Sequence, residues 1–457
     1  MKNLNLTQHV QEARFNRFHL MIAAVGFLLI MCDGYDVAVF GTITPPLMAA
    51  WKLTPVAAGA IGSSGLVGML FGAIGFGALA DRLGRKRVVL VTVLLYSVFT
   101  ALCGFAQEPT FFTVCRVIAG LGLGGIMPNV IALLADFSPK RLTATITTIV
   151  LCGFAVGGLL APLLGILVIP TAGWQVSLWV AAIPLLFLPW MYKALPESIS
   201  VLMKRGNREE IAKLLERIDP SQTIDRDIEF TTESPSKAKL PLTDLFNNNR
   251  AMSTLMFWLA FFAHLLMAYG ILNWLPKLMI ESGFSLASSL AFLVIWQLGG
   301  IIGTIVAGRM ADRLGAKKIV IALYITGTIV IAGVGVSTNA LLSYVLVGIA
   351  GATITGVQNL VQVYIAEYYP AFVRSTALGS ASGMGRIGAI LGPILGGLLL
   401  SFSLSSQGIF FVFAIPGLIA AFAIAMVSDK KSHQRQLENA AIQTPLQSSD
   451  GKQLNSL

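Results

Sequence analysis

Five ionisable side chains lie inside apolar stretches, where charged residues are rare. Asp33 and Asp36 interrupt the first apolar run. Arg116, His264 and Arg386 lie in the fourth, seventh and eleventh runs. Residues at positions i and i+3 of a helix share one face, so the two carboxylates are expected to be neighbours and to hold one proton between them. Ionisable groups inside a membrane are costly and typically mark a proton or substrate path.

The two arginines each need an anion. Arg386 lies near the middle of the eleventh apolar run, where a substrate carboxylate can bind it bidentately. A permanent pair with Asp33 or Asp36 is the alternative. Arg116 lies closer to a helix end, where it either pairs with an intramembrane acid or extends toward the membrane surface. His264 is a candidate proton relay or, equally, a packing residue.

Neutral polar and aromatic side chains in the same runs are candidates for contact with a substrate. Amide groups would donate hydrogen bonds and rings would stack, whereas helix packing is the alternative for each of them. The predicted substrate-binding residues beside Arg386 are Tyr35, Asn129, Gln358, Asn359 and Trp296, and Phe40 and Tyr269 are further stacking candidates.

Composition excludes most other classes of protein. Only 12% of the 457 residues are charged, about half the share in soluble proteins, and 55% are hydrophobic. The net charge of +10 comes mainly from Lys and Arg between apolar runs, which argues against nucleic-acid binding. The four cysteines and four histidines show no metal-ligand or nucleophile–base spacing, so no enzyme activity, metal or cofactor is expected. The proton gradient is the expected driving force.

Twelve apolar segments are long enough to cross a membrane. The predicted fold class is therefore an all-α membrane protein with two pseudo-symmetric halves of six transmembrane helices. The predicted regions are a cytoplasmic N-terminus (1–17), a six-helix bundle (18–194), a cytoplasmic central loop (195–250), a second six-helix bundle (251–428) and a disordered cytoplasmic tail (429–457). The first apolar run is too long for a cleavable signal peptide. Basic loops predict that both termini are cytoplasmic in a multi-pass inner-membrane protein.

An internal repeat relates the two halves. The segment GALADRLGRK at 77–86 recurs as GRMADRLGAK at 308–317, so the numbering of the two copies differs by a constant offset (308 − 77 = 231). The same offset carries Gly157 onto Gly388 and Asp33 onto His264. Two halves of six helices share one topology, so the repeat is parallel and a substrate site is expected near the midplane between them.

The duplicated loop resembles the signature of the major facilitator superfamily, and the resemblance covers nearly the whole chain. It implies a cytoplasmic gating latch in which the helix-end aspartate pairs with a cation or a helix N-terminus. Gly77 is expected to permit close packing and Gly84 a tight turn. The predicted gating residues are Gly77, Asp81, Arg82, Gly84, Arg85, Lys86, Asp312 and Arg313.

The element Asp33-Gly-Tyr-Asp36 resembles the aromatic acid:proton symporter family, and the segment ARFNRFH at 13–19 is similar to the start of its benzoate-type members. The resemblance implies proton-coupled import of an aromatic carboxylate, with benzoate the first candidate, by alternating access in a monomer. The predicted proton-coupling residues are Asp33, Asp36, Arg116 and His264. Open alternatives are uptake of 4-hydroxybenzoate, muconate or another organic acid, a drug/proton antiporter, and a non-transporting sensor.

Overall fold

Twelve long apolar helices dominate the computed structural model, which describes residues 3–198, 201–203, 206, 208–219, 229–231, 242–247, 249–429 and 432. Each is long and apolar enough to cross a membrane, so the predicted twelve-helix all-α class is confirmed. They are α1 (Arg17–Trp51), α2 (Pro55–Leu83), α3 (Arg85–Cys103), α4 (Pro109–Phe137), α5 (Thr143–Ala172), α6 (Gln175–Ala194, with a 3₁₀ turn at Val180–Ala182), α7 (Ala251–Glu281), α8 (Leu286–Leu314), α9 (Ala316–Val336), α10 (Ala340–Tyr368), α11 (Ala371–Ser401) and α12 (Ser406–Met426).

Short elements lie outside the membrane-spanning helices. They comprise helices Leu6–Glu12 and Arg208–Ile218, a 3₁₀ helix at Leu242–Leu245, and strands Asn3–Asn5 and Glu229–Thr231, which pair in parallel. The second short helix lies within the predicted central loop, and it buries Ile211, Leu214, Leu215 and Ile218. Most of the remainder of the predicted central loop and nearly all of the tail lie outside the described residues, and the predicted domain boundaries stay predictions.

Helix starts follow local capping chemistry. Asn16 forms a capping box at the start of α1: its side chain accepts hydrogen bonds from the backbone of Phe18 and His19, and the His19 side chain accepts one from the Asn16 backbone. Thr54 caps α2 immediately before Pro55, whose fixed φ suits a first helical position. Between α2 and α3, Gly84 adopts a φ of +100°, which side-chain-bearing residues rarely adopt. The tight turn predicted at Gly84 is therefore present.

Glycine contacts show the duplication in three dimensions. A Cβ at Gly157 would meet the carbonyl of Met31 where α5 crosses α1, and one at Gly388 would meet the carbonyl of Phe262 where α11 crosses α7. The second pair is the first pair shifted by the repeat offset. The same offset relates the contact of Gly120 with Gly65 to that of Gly351 with Trp296. The two halves therefore share their internal helix packing as well as a sequence pattern.

The halves touch each other toward one end of the bundle. We call the end carrying Arg82, Arg85 and Lys86 the basic end, and the end where α1 and α7 terminate the distal end. Glycine contacts join the halves in the distal part of the bundle, among them Gly41 with Leu272, Gly59 with Pro393 and Gly397 with Pro55. Ser63 adds a hydrogen bond from its hydroxyl to the carbonyl of Ile390, at 2.5 Å.

Toward the basic end, glycines of α2, α8 and α11 have no close neighbours. A Cβ built at any of four glycines there would meet no atom within 4 Å; they are Gly77, Gly308, Gly379 and Gly383. The close packing predicted at Gly77 is therefore absent from this conformation. The glycine contacts between the halves thus lie toward the middle and the distal end of the bundle.

Candidate functional site

Asp36 and Arg116 form a buried ion pair inside the first half. Arg116 Nη1 lies 2.7 Å from Asp36 Oδ1, and the two side chains are only 5% (Arg116) and 3% (Asp36) exposed. The hydroxyl of Thr100 donates a second hydrogen bond to the same oxygen at 3.4 Å. The Phe40 ring lies 5.7 Å from the guanidinium carbon. Of the two interpretations of Arg116, the structure therefore shows the intramembrane pair.

The second carboxylate on α1 has a different environment. Asp33 is 2% exposed, and its Oδ1 has no hydrogen-bond partner among the described residues. Asp33 interacts electrostatically with Arg386 of α11 and with Tyr269 of α7, both from the other half. The structure thus places one carboxylate against Arg116 and the other within electrostatic range of Arg386, without a direct contact. That the two share a single proton stays a prediction.

Arg386 borders the space between the halves without a close anion. Its Nη1 lies 4.0 Å from the sulfur of Met69 on α2, and no carboxylate in the described part of the chain comes within 4 Å of it. The permanent ion pair considered as the alternative is therefore absent from this conformation. A half-buried guanidinium in a membrane interior needs an anionic partner, so this position suits a bound carboxylate.

A small cavity adjoins these charges. Its walls come from α1, α2, α4 and α7, and they include Asp36, Arg116, Tyr269, Asn273, Phe40 and Met69. In this conformation it holds about one water molecule, far less than an aromatic ring needs. The site must therefore widen to accept an aromatic acid.

Several predicted substrate-binding residues do not reach this cavity. The Tyr35 hydroxyl donates to the carbonyl of Ser177 at 2.6 Å, and the Asn129 amide donates to its own helix at Gly125, at 2.7 Å. Trp296 is buried against α10, and the exposed Asn359 is 3.4 Å from the hydroxyl of Thr304. Gln358 is half-buried and adjoins His264.

His264 is fully enclosed in the second half. It is 1% exposed, and neither ring nitrogen has a hydrogen-bond partner within normal geometry in the described part of the chain. Its ring packs edge-on against Tyr324, with centroids 5.7 Å apart. His264 occupies the position in the second half that Asp33 occupies in the first, but it does not line the cavity.

The predicted gating residues form contacts within one half. Arg85 pairs with Asp136 and donates to the carbonyl of Ala132 at 2.6 Å, which fixes the α2–α3 loop to the end of α4. The Glu197 carboxylate lies directly against Gly84, and Lys86 stacks over the Tyr192 ring at 4.5 Å. In the second half, Asp312 and Arg313 are exposed, as is Arg82 in the first half, and the side chain of Asp81 lies outside the described set.

Sequence reasoning missed three residues of this arrangement. Thr100 supports Asp36, Glu197 packs on Gly84, and Asn273 lines the cavity. The available signal for Asn273 was its position four residues after Tyr269, which puts both on one face of α7. Thr100 carries no such signal, because its partner lies 64 residues away in the sequence.

Removing one member of the buried pair should destabilise the protein strongly. Asp36→Ala leaves the Arg116 guanidinium buried without its anion, which costs about 3–5 kcal/mol in comparable cases. We expect a clear fall in the thermal unfolding midpoint in detergent. The double variant Asp36→Asn/Arg116→Gln, which leaves no buried charge, should recover most of it. Equal losses in both variants would contradict a charge-pair explanation.

The fold and these buried charges are those of a membrane transporter, and the chain belongs to the Major Facilitator Superfamily, whose family model matches residues 26–371 and 293–454. Within it, the chain groups with transporters of aromatic acids. It is 38% identical to the benzoate transport protein of Acinetobacter baylyi, over 95% of this chain and 94% of that protein. It is 35% identical to the gallate transporter of Pseudomonas putida, over 89% of this chain and 91% of that protein.

A solved structure shares the architecture. The inward open conformation of the xylose transporter XylE from E. coli aligns with a TM-score of 0.72 and 17% identity, covering 92% of this chain and 99% of that one. This likeness supports the fold alone. The matched proteins are membrane transporters, which confirms the prediction of a multi-pass transporter rather than an enzyme.

Proposed function

We propose that this protein imports an aromatic carboxylate together with a proton, with benzoate as the first candidate substrate. By the positive-inside rule, the basic end faces the cytoplasm and the inner membrane is the location. The protein acts as a monomer, and the proton gradient replaces any cofactor.

The observation that carries this proposal is the relation between Asp33 and Arg386. A buried carboxylate with an unpartnered oxygen lies in one half, and a guanidinium without a close anion lies in the other, among the residues that the structure describes. Intramembrane charges at the boundary between two moving halves typically mark a transport path. Neither Asp33 nor Arg386 takes part in the ion pair between Asp36 and Arg116.

Asp33 and Arg386 suggest how proton and substrate are coupled: the carboxylates of Asp33 and of the substrate compete for the guanidinium of Arg386. When the site is empty, the charge of ionised Asp33 balances that of Arg386 without a direct ion pair between them. A substrate carboxylate that binds Arg386 takes over that role, and Asp33 then accepts a proton. The charge of the site is the same in both states, so the halves can move in either of them. Substrate bound without a proton leaves an excess buried anion, which opposes movement.

The cavity beside Asp33 and Arg386 suits an aromatic ring. Phe40 and Met69 supply apolar and polarisable surface, and Gly62 and Gly65 leave the surface of α2 without side chains. Similarity to the benzoate transport protein favours benzoate among the aromatic acids. Uptake of 4-hydroxybenzoate is the second candidate, because the cavity also carries neutral polar groups at Tyr269 and Asn273.

Uptake into proteoliposomes tests this function. With one proton per monoanion, an inside-alkaline gradient of one pH unit should accumulate radiolabelled benzoate about tenfold, since each unit is worth about 1.36 kcal/mol. A protonophore should collapse the accumulation. Competition by unlabelled 4-hydroxybenzoate and muconate ranks the substrates. Folded protein that accumulates none of these acids would contradict the proposal and favour efflux, another organic acid or a sensor.

A further inference from the structure

The neutral polar face of α7 has no role in the coupling mechanism. Tyr269 and Asn273 lie four residues apart, so they project on the same side of the helix, about 6 Å apart along its axis. Both line the cavity. Asn273 also lines a second, narrower cavity beside Thr44 and Gly59, which has no room for a water molecule.

Asn273 is built into the interface between the halves. It is only 8% exposed, yet its amide makes no hydrogen bond within the described part of the chain. Its Cα packs against Gly41 of α1, and its Nδ2 faces Gly62 of α2, where a Cβ would come within 3.4 Å. The small residues opposite therefore leave the amide facing the cavity rather than another side chain. A buried amide without a partner costs free energy unless water or a ligand satisfies it.

The position of this amide relative to Arg386 decides what it can contact. Arg386 touches Met69, and Met69 lines the same cavity as Asn273. Asn273 faces Gly62, which lies seven residues before Met69 on α2. By the helix rise of about 1.5 Å per residue, Asn273 therefore lies roughly 10 Å nearer the distal end than the contact of Arg386 with Met69. A carboxylate bound at Arg386 therefore directs its ring along Phe40 and Met69, with the far edge of the ring toward Asn273.

We infer that Asn273 is a specificity-determining residue that hydrogen-bonds a hydroxyl group on the substrate ring, at the end opposite the carboxylate. An amide both donates and accepts, which matches a phenolic hydroxyl, whereas a second carboxylate would need a cation. This inference rests on the proposed function and names the residue by which benzoic acids that carry a distal hydroxyl are recognised in addition to benzoate. Benzoate lacks this hydroxyl, and when it binds the same site a water molecule hydrogen-bonds the Asn273 amide instead.

The test compares two ligands that differ by one hydroxyl. Equilibrium binding of radiolabelled benzoate and 4-hydroxybenzoate is measured on the purified full-length protein, on Asn273→Leu and on Asn273→Gln. The unaltered protein should bind 4-hydroxybenzoate at least as tightly as benzoate. Asn273→Leu should weaken 4-hydroxybenzoate about tenfold, as expected for one lost hydrogen bond, and change benzoate by less than about twofold. Asn273→Gln, which retains an amide, should recover part of the difference.

Thr44→Val is the matched control. Thr44 lines the narrower cavity, but its hydroxyl already donates to the carbonyl of Phe40 at 2.7 Å, so its removal should not distinguish the two ligands. Equal effects of Asn273→Leu on both ligands, or much weaker binding of 4-hydroxybenzoate than of benzoate by the unaltered protein, would overturn the inference alone. Failure of the folded, unaltered protein to bind either acid would instead overturn the proposed function.

Discussion

Asp33→Asn is expected to abolish proton-driven accumulation while leaving exchange of substrate across the membrane intact. The amide cannot lose or gain a proton, so it resembles the protonated carboxylate permanently. Arg386 then has no competing anion from the protein, and substrate binds and moves without a proton. Net accumulation under a gradient of one pH unit should fall from about tenfold to about onefold. Counterflow of labelled against unlabelled benzoate should continue and lose its dependence on pH.

Two other carboxylates serve as controls for this result. Glu281→Gln removes an acid at the end of α7, where it pairs with Lys277 at 3.3 Å, and it should leave accumulation unchanged. Asp36→Asn should act differently from Asp33→Asn, because it weakens the contact with Arg116 and lowers the yield of folded protein. Robust proton-driven accumulation by Asp33→Asn would contradict the assignment of coupling to this residue.

The fold could be predicted from the sequence because the responsible physics is local or periodic. Apolar runs of sufficient length specify spanning helices wherever lipid is the solvent. The constant offset of the repeat predicted two equivalent halves, and the paired contacts of Gly157 and Gly388 show that equivalence in space. The turn at Gly84 was predictable for the same reason, since a positive φ is a property of a single residue.

The pairing of charges was not predictable, because it depends on contacts between distant segments. The spacing of Asp33 and Asp36 correctly puts both on α1, but it does not reveal that Arg116, three helices later on α4, binds only the second. Arg85 belongs to the predicted gating loop, and its partner Asp136 lies in the same half. Asn273 resembles any polar residue in an apolar helix until Gly41 and Gly62 are placed opposite it.

Arg386→Gln should remove high-affinity binding of aromatic acids, and Arg386→Lys should weaken it less. Hydrogen bonds to a charged group are worth about 1.5–3 kcal/mol, so loss of the bidentate contact should weaken binding roughly 10- to 150-fold in the glutamine variant. Lysine keeps the positive charge but offers a point contact in place of the planar fork, and an intermediate loss is expected. Equilibrium binding of benzoate, with folding checked by thermal unfolding, measures both.

Arg386→Gln also distinguishes a binding role of Arg386 from a purely structural one. Arg374→Gln alters an exposed arginine on the same helix and should bind benzoate normally. In Arg386→Gln, Asp33 loses the cation for which substrate competes, so residual binding should no longer release or take up a proton. Unchanged affinity, or residual binding that stays as pH-dependent as that of the unaltered protein, would refute the competition between substrate and Asp33 for Arg386. Loss of affinity together with loss of proton linkage is the result that this competition requires.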